Sequence, residues 1–170
     1  MRSSPLWLCV AAGACNAAPE ALEPIPDVNC ADVAGEASLQ VGTGTATFEP
    51  LTAEGPIGFY PGPQGGHHVF VSVRAQGLVQ GTASGLGYDD PMVSISVVTD
   101  RELSIYLDQQ RGFDLDGDTI QFVGQLVQLF HPNPVELDGD PVMLSVDVED
   151  RCGTQASAAL NLRLELGDAP

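Results

Sequence analysis

Apolar and polar side chains alternate along much of this chain, and this period of two constrains its fold more than any other feature. Successive side chains of a β-strand point to opposite faces of its sheet, so each alternating segment predicts a strand with one buried face. Six segments show the pattern, with apolar positions at Ala37, Leu39 and Val41; Val69, Val71, Val73 and Ala75; Val93, Ile95 and Val97; Leu103, Ile105 and Leu107; Val142, Leu144, Val146 and Val148; and Leu160, Leu162, Leu164 and Leu166. No segment of ten or more residues carries an apolar stripe at helical spacing, so the chain is predicted to be all-β.

Clusters of Gly, Pro, Asn and Asp separate the alternating segments. They lie at residues 85–87, 89–91, 116–118, 132–134 and 138–140. Short strands joined by such turns at intervals of roughly ten residues favour an antiparallel β-sandwich of about 7–9 strands. Between Ile120 and Leu129 the inward phase changes next to Gly124, which predicts a β-bulge there.

The last alternating segments resemble part of a known kind of domain. An Asp-Gly-Asp turn at residues 138–140 precedes one strand pattern at residues 142–150, and a second follows Gly153 at residues 158–166. This arrangement resembles the closing hairpin of immunoglobulin-like bacterial modules over about 30 residues. The resemblance implies that the sandwich is immunoglobulin-like.

The N-terminal residues have the layout of an export signal. Residues 1–5 carry the positive Arg2, residues 6–11 form a compact apolar run, and residues 12–14 are small and precede Cys15. The run is too short to span a bilayer, which takes about 20 apolar residues. The layout resembles the lipobox of bacterial lipoproteins, which implies cleavage before Cys15, a lipid on that cysteine and, because no aspartate follows it, placement in the outer membrane. An ordinary secretory signal, giving a secreted protein, also fits residues 12–14.

The number of cysteines separates these two alternatives. The chain has four cysteines, and Cys9 leaves with the signal in either case. Ordinary cleavage would leave three thiols in an oxidising compartment, and therefore one without a partner. Lipidation of Cys15 leaves Cys30 and Cys152 as an even pair, for which we predict a disulfide. The predicted location is therefore the cell envelope, as an outer-membrane lipoprotein.

These observations divide the chain into three parts. Residues 1–14 are predicted to be a signal peptide, residues 15–36 a lipid-anchored tether rich in Pro and Ala, and residues 37–170 the β-sandwich domain. Between Cys15 and Cys30, three prolines in 14 residues disfavour both helix and strand ladders. Extended at about 3.1 Å per residue, this stretch would hold the domain at most roughly 40 Å from the membrane.

Acidic residues greatly outnumber basic ones. The chain has 23 Asp and Glu against 6 Lys and Arg, which gives a formal net charge of −17. Such a charge repels nucleic acid and anionic lipid headgroups, and it favours solubility and the binding of cations. We therefore expect no nucleic-acid partner, membrane contact only through the lipid at Cys15, and a monomer whose partner is a protein or a glycan.

The string GPQGGHHV at residues 62–69 is the first candidate metal site. Its glycines permit a tight turn, and the following strand begins at His67. His67 and His68 would then face opposite sides of the sheet, so a copper or zinc site needs His131 or a ligand from another loop. The string resembles a stretch of exported bacterial lipoproteins of uncharacterised activity, and this resemblance implies no activity.

Alternating aspartates form the second candidate metal site. Asp114, Asp116 and Asp118 surround Gly117 and can direct carboxylate oxygens toward Ca²⁺. In a helix-loop-helix calcium loop the glycine is the sixth residue and a bidentate Glu the twelfth, whereas here Gly117 is fourth and Gln125 is twelfth. A plain Asp-Gly turn is the alternative interpretation. No cofactor is predicted beyond this candidate for Ca²⁺.

Recognisable catalytic motifs are absent from the sequence. It contains no Gly-x-Ser-x-Gly, no His-Glu-x-x-His and no glycine-rich phosphate loop. We therefore predict that the protein is not an enzyme but an exported, lipid-anchored envelope or surface module with an interaction or structural role. Two alternatives stay open: a metal-handling protein (Ca, Zn or Cu), and a carbohydrate-binding module that uses Phe59, Tyr60, Tyr88 or Tyr106.

Overall fold

The computed structural model describes residue 30 and residues 35–62, 66–81, 89–101, 104–131 and 133–167. These residues form ten strands: β1 (Ser38–Thr43), β2 (Glu49–Pro50), β3 (Pro56–Pro61), β4 (His67–Gln76), β5 (Met92–Thr99), β6 (Ser104–Gln110), β7 (Asp114–Asp116), β8 (Thr119–Leu129), β9 (Pro141–Glu149) and β10 (Gln155–Leu166). A 3₁₀ helix lies at Pro134–Leu137, and no helix among the described residues is long and apolar enough to cross a membrane. The predicted signal peptide, Cys15, Tyr88 and Leu103 lie outside the described residues.

The prediction of an all-β, sandwich-like fold is confirmed, although the sheet is mixed rather than purely antiparallel. One mixed sheet contains all ten strands and curls into a half-barrel, so that its two halves face each other across the core. Its main path runs β2-β1-β4-β3-β10-β9-β5-β6, and β8 pairs with β4 and with β7. The count of ten exceeds the predicted 7–9 partly because β2 and β7 have only two and three residues, too few for an alternation to be detected.

The prediction of a purely antiparallel arrangement is wrong, because β3 and β10 are parallel. Ile57 of β3 pairs with Leu164 of β10, and Phe59 pairs with Leu166. Side-chain alternation specifies which face of a strand is buried and carries no information on the direction of its neighbour. Strand β3 was also absent from the predicted strands: prolines stand at both of its ends, where missing N–H groups are tolerated.

Strand β4 allows a single sheet to form both layers. Its first residues, His67–Val69, pair with β3, and its later residues pair with β1. Its other edge pairs with β8 over almost its whole length, from His67↔Leu129 to Ala75↔Ile120. Since β3 leads on to β10, whereas β1 stays with the far half of β4 and β8 follows its other edge, the sheet divides at this strand and closes over the core.

The core consists of the inward residues of both layers. Its largest fully buried side chains are Phe59, Phe113, Ile95, Leu129, Leu137, Leu144, Leu162, Leu164, Val41, Val69, Val71 and Val73. Most of these are the predicted inward positions, and each fully buried aliphatic or aromatic side chain contributes about 1.5–3 kcal/mol. Phe113 lies edge-on to Phe122 with the ring centroids 5.1 Å apart.

The predicted bulge at Gly124 is confirmed. Val71 pairs with Gln125 and Val73 with Phe122, so Ser72 alone faces two residues of β8. Gly124 has a φ of +75°, and its N–H donates to Ser72 Oγ at 3.0 Å. A glycine suits this position because an L side chain is strained at such a φ.

Cys30 and Cys152 form a disulfide, with the Cα atoms 5.5 Å apart and a sequence separation of 122. Cys152 lies in the turn between β9 and β10, at what we call the disulfide end of the domain. The bridge therefore ties the segment before β1 to the terminal hairpin. The opposite end carries the connection between β3 and β4 and the start of β9. Strand β9 runs toward the disulfide end, β10 and its parallel neighbour β3 run away from it, and β4, which is antiparallel to β3, runs toward it.

Candidate functional site

The two adjacent histidines start β4 and point to opposite faces, as strand geometry predicts. His67 packs toward the core, with its ring centroid 5.7 Å from that of Phe59. His68 lies on the outer face beside Tyr60 and Phe70. His131 lies near the same end, and its Nδ1 is 2.8 Å from the carbonyl oxygen of Asn133. In the part of the chain that the structure describes, no group of three or more His, Cys, Asp or Glu residues is placed to hold a metal ion.

The candidate calcium residues lie in a different place. Asp114 and Asp116 belong to β7, and Asp118 is in the turn to β8. The Asp116 carboxylate is engaged in an ion pair, 2.8 Å from the Arg74 guanidinium. Since β8 begins beside the C-terminal half of β4, this turn and His67 lie at opposite ends of β4. The aspartates and the histidines therefore cannot contribute to one metal site.

An aromatic cluster covers the outer face of β3 and β4. His68 meets Phe70 edge-on at 4.9 Å, and the Tyr60 ring lies 5.9 Å from Phe70 and 6.5 Å from His68. His68 is only 8% exposed although it points away from the core. Burial, and then repulsion from His67, lower the pKa of His68 below its ordinary value.

The depressed pKa of His68 predicts a loss of stability in mild acid. The folded state favours the neutral ring, whereas the unfolded chain takes up the proton as the pH falls below about 6.5. The contribution of neutral His68 to the free energy of unfolding is therefore complete above about pH 6.5, and it declines as the pH falls toward the lowered pKa of the folded state. We expect the urea concentration at the unfolding midpoint to fall as the pH is lowered from about 7 to 5. The slope of this midpoint against pH should be smaller in His68→Gln.

His131→Gln is the matched control for this experiment, because His131 lies at the same end but outside the aromatic cluster. The control should keep the wild-type slope. The slope is compared rather than the absolute stability, since Gln also alters packing. An unchanged slope in the His68 variant would contradict the prediction.

A second outer surface lies on β10, β9, β5 and β6, and the sequence analysis did not identify it as one site. Cross-strand pairing aligns its outward residues in two rows, Ser157–Asp147–Ser94–Asp108 and Ala159–Ser145–Ser96–Tyr106. We call the surface defined by these eight residues the serine face. Its floor consists of short side chains, whereas Tyr106 at the β6 edge is 71% exposed.

Two shallow hollows open on these strands, and only the first is lined by residues of the serine face. One, of about 270 Å³, is lined by residues that include Ser94, Asp147, Glu149 and Ser157. The other, of about 430 Å³, lies toward the start of β9 and is lined by residues that include Arg163. The serine face is therefore an open, shallow surface rather than a deep pocket.

Hydrogen bonds hold two carboxylates at the first hollow. Ser157 Oγ donates to Asp147 at 2.5 Å, and Gln155 Nε2 donates to Glu149 at 2.8 Å. A carboxylate has about four acceptor positions, so each keeps acceptor capacity directed to solvent. The arrangement can accept hydrogen bonds from a ligand without first having to order these side chains.

Comparison with known proteins gives no match: the chain matches no protein family, no curated protein and no solved structure.

Proposed function

We propose that this protein is an exported, lipid-anchored module of the bacterial cell envelope that acts by binding and not by catalysis. The observation that carries the proposal is the Cys30–Cys152 disulfide. Such bridges persist in oxidising compartments and are rare in the cytosol. Together with the export-signal layout of residues 1–15, the bridge supports a location outside the cytoplasm.

The position of the disulfide gives the proposed anchor an orientation. With the lipid on Cys15, the 14 residues 16–29 join the membrane to Cys30, which is bonded to the turn between β9 and β10. The chain thus enters the domain at the disulfide end. The opposite end, with the connection between β3 and β4, faces away from the membrane, and the serine face runs between the two ends.

Exposed aromatic and apolar side chains support a binding role. Tyr106 is 71% exposed and Phe130 68% exposed, and Leu126 is 45% exposed beside the aromatic cluster. A rigid β scaffold that presents such side chains to solvent is typical of domains that bind a partner. The net charge of −17 disfavours anionic partners and direct contact with anionic lipid headgroups.

Lipidation of Cys15 is the direct test of the anchor. The full chain, expressed in a bacterium fed an alkyne-bearing palmitate analogue, should acquire the label, and Cys15→Ser should abolish it. Two or three acyl chains are needed for stable anchoring, so the labelled protein should also fractionate with membranes.

Cys9→Ser is the matched control, because Cys9 lies in the predicted signal and should not affect labelling. Intact mass measurement should give a mature chain that begins at an acylated Cys15. An unmodified N-terminus at Cys15 or Asn16, or a label that survives Cys15→Ser, would refute the proposed anchor.

A further inference from the structure

The serine face is an open surface wide enough for a chain-like ligand. Its four strands lie about 4.8 Å apart, so each row of outward residues spans about 14 Å from β10 to β6. The middle of the second row is formed by Ser96 and Ser145, both half-buried, and the exposed Tyr106 follows Ser96 at the β6 end of the row. A ligand can therefore lie across the strands against a low floor and meet an aromatic ring at the edge.

The hydrogen-bonding groups of the serine face match those of a polyol. A serine hydroxyl both donates and accepts, as does each hydroxyl of a sugar. None of the side-chain hydrogen bonds within the described ranges uses the hydroxyls of Ser94, Ser96 or Ser145. The oriented Asp147 carboxylate adds a strong acceptor, because a hydrogen bond to an ionised group is about twice as strong as a neutral one.

Tyr106 supplies the apolar contact that such a ligand needs. Its ring is large and held on a strand, and 71% of the residue remains exposed. Aromatic rings bury much area at a low cost in conformational entropy, which makes them frequent anchors of binding surfaces. The C–H face of a pyranose ring is the apolar surface of a sugar, and it can stack on this ring.

The negative charge of this surface determines which class of glycan it can bind. Asp147, Asp108 and Glu149 are all exposed on or beside the serine face, and the whole chain carries a net charge of −17. This field opposes uronates, sulfated sugars and phosphate-bearing polymers. A neutral sugar chain avoids that repulsion and uses the same carboxylates as hydrogen-bond acceptors.

We propose that the serine face is a binding site for a neutral, linear glycan, which lies across β10, β9, β5 and β6 and stacks one sugar ring on Tyr106. This inference does not depend on the lipid anchor. A protein without acylation at Cys15 could still bind glycan, and a lipidated one could fail to do so.

Affinity gel electrophoresis of the full chain tests the proposal. The gels contain one of five neutral polysaccharides: hydroxyethylcellulose, laminarin, glucomannan, arabinoxylan or starch. At least one should retard the wild-type protein, and Tyr106→Ala should weaken that retardation by about ten-fold or more. Tyr106→Phe keeps the ring and should restore most of it. Ser145→Tyr places a large side chain in the middle of the serine face and should also abolish retardation.

Leu115→Ala is the matched control, because Leu115 is 70% exposed on β7, outside the serine face. It should bind as the wild type does, and all variants should keep the wild-type unfolding midpoint. Binding should persist at about 0.5 M NaCl, where contacts between exposed charges are screened. Retardation by none of the five polysaccharides, or equal retardation of Tyr106→Ala, would overturn the proposal. A third outcome would also overturn it: a salt-sensitive association with poly-L-lysine that depends on Tyr106, while no binding of polysaccharide depends on Tyr106. The serine face would then bind a cationic partner.

Discussion

Replacement of both Cys30 and Cys152 by Ser is expected to lower the free energy of unfolding by about 4–5 kcal/mol. The bridge closes a loop with a sequence separation of 122, and a long loop regains the most freedom when the cross-link is lost in the unfolded chain. This loss is large relative to the free energy of unfolding of a whole domain, which is typically about 5–15 kcal/mol. Urea denaturation of the oxidised wild type and of the double variant measures the difference.

Reducing agent provides the internal control for the disulfide. Dithiothreitol should shift the wild-type midpoint toward that of the Cys30→Ser, Cys152→Ser variant and leave the variant itself unchanged. Titration of thiols in the unfolded, unreduced protein should detect neither of these two cysteines. Equal midpoints for the wild type and the double variant would show that the bridge adds no stability.

Asp150→Ala should be similarly damaging, although this residue forms no part of the proposed sites. Asp150 is 4% exposed, and its carboxylate accepts hydrogen bonds from the backbone N–H groups of Val79, Cys152 and Thr154 at 2.8–2.9 Å. Each buried donor left without a partner costs about 1–3 kcal/mol, so we expect a loss of about 3–6 kcal/mol. The loss is measured by urea or thermal denaturation under oxidising conditions.

Two further variants separate the hydrogen bonds from the charge. Asp150→Asn can keep an oxygen toward Cys152 and Thr154, which both donate to Oδ1, but it turns an amide group toward the N–H of Val79. It should therefore lose less stability than Asp150→Ala. Asp114→Ala removes an exposed carboxylate of β7 and should change stability by no more than about 0.5 kcal/mol. A loss in Asp150→Ala no larger than in Asp114→Ala would contradict the assigned role.

Much of the core could be predicted from the sequence. The positions proposed as inward in β4, β5 and β9 are all buried, because strict alternation over four or more residues assigns every side chain of a strand to a face. The prediction is weaker in β10, where Leu160 in the middle of the strand is half-buried and Leu166 at its end is 37% exposed. Periodicity assigns a side chain to one face of the sheet, but it does not report whether another layer covers that face at each position.

The candidate sites were predicted less well. The sequence correctly places His67 and His68 on opposite faces, since that follows from the geometry of one strand. The separation of these histidines from Asp116 along β4 depends on the register between β4 and β8, which is a tertiary property. The sequence assigned Asp150 only to the end of a strand pattern. Its hydrogen bond with the N–H of Val79 could not be predicted, because Val79 is 71 residues away in the chain.

By itself, the sequence determined the fold class, the inward faces of most strands, the bulge at Gly124 and the acidic character that disfavours anionic partners. These properties depend on neighbours along the chain or on composition, so local pattern is sufficient. Only the tertiary structure decided that β3 lies parallel to β10 and that one sheet curls to form both layers. It alone placed Ala159, Ser145 and Ser96 on adjacent strands in line with Tyr106. The reason is physical: alternation specifies the face of each strand, whereas strand order and direction follow from how all the buried faces pack together around one core.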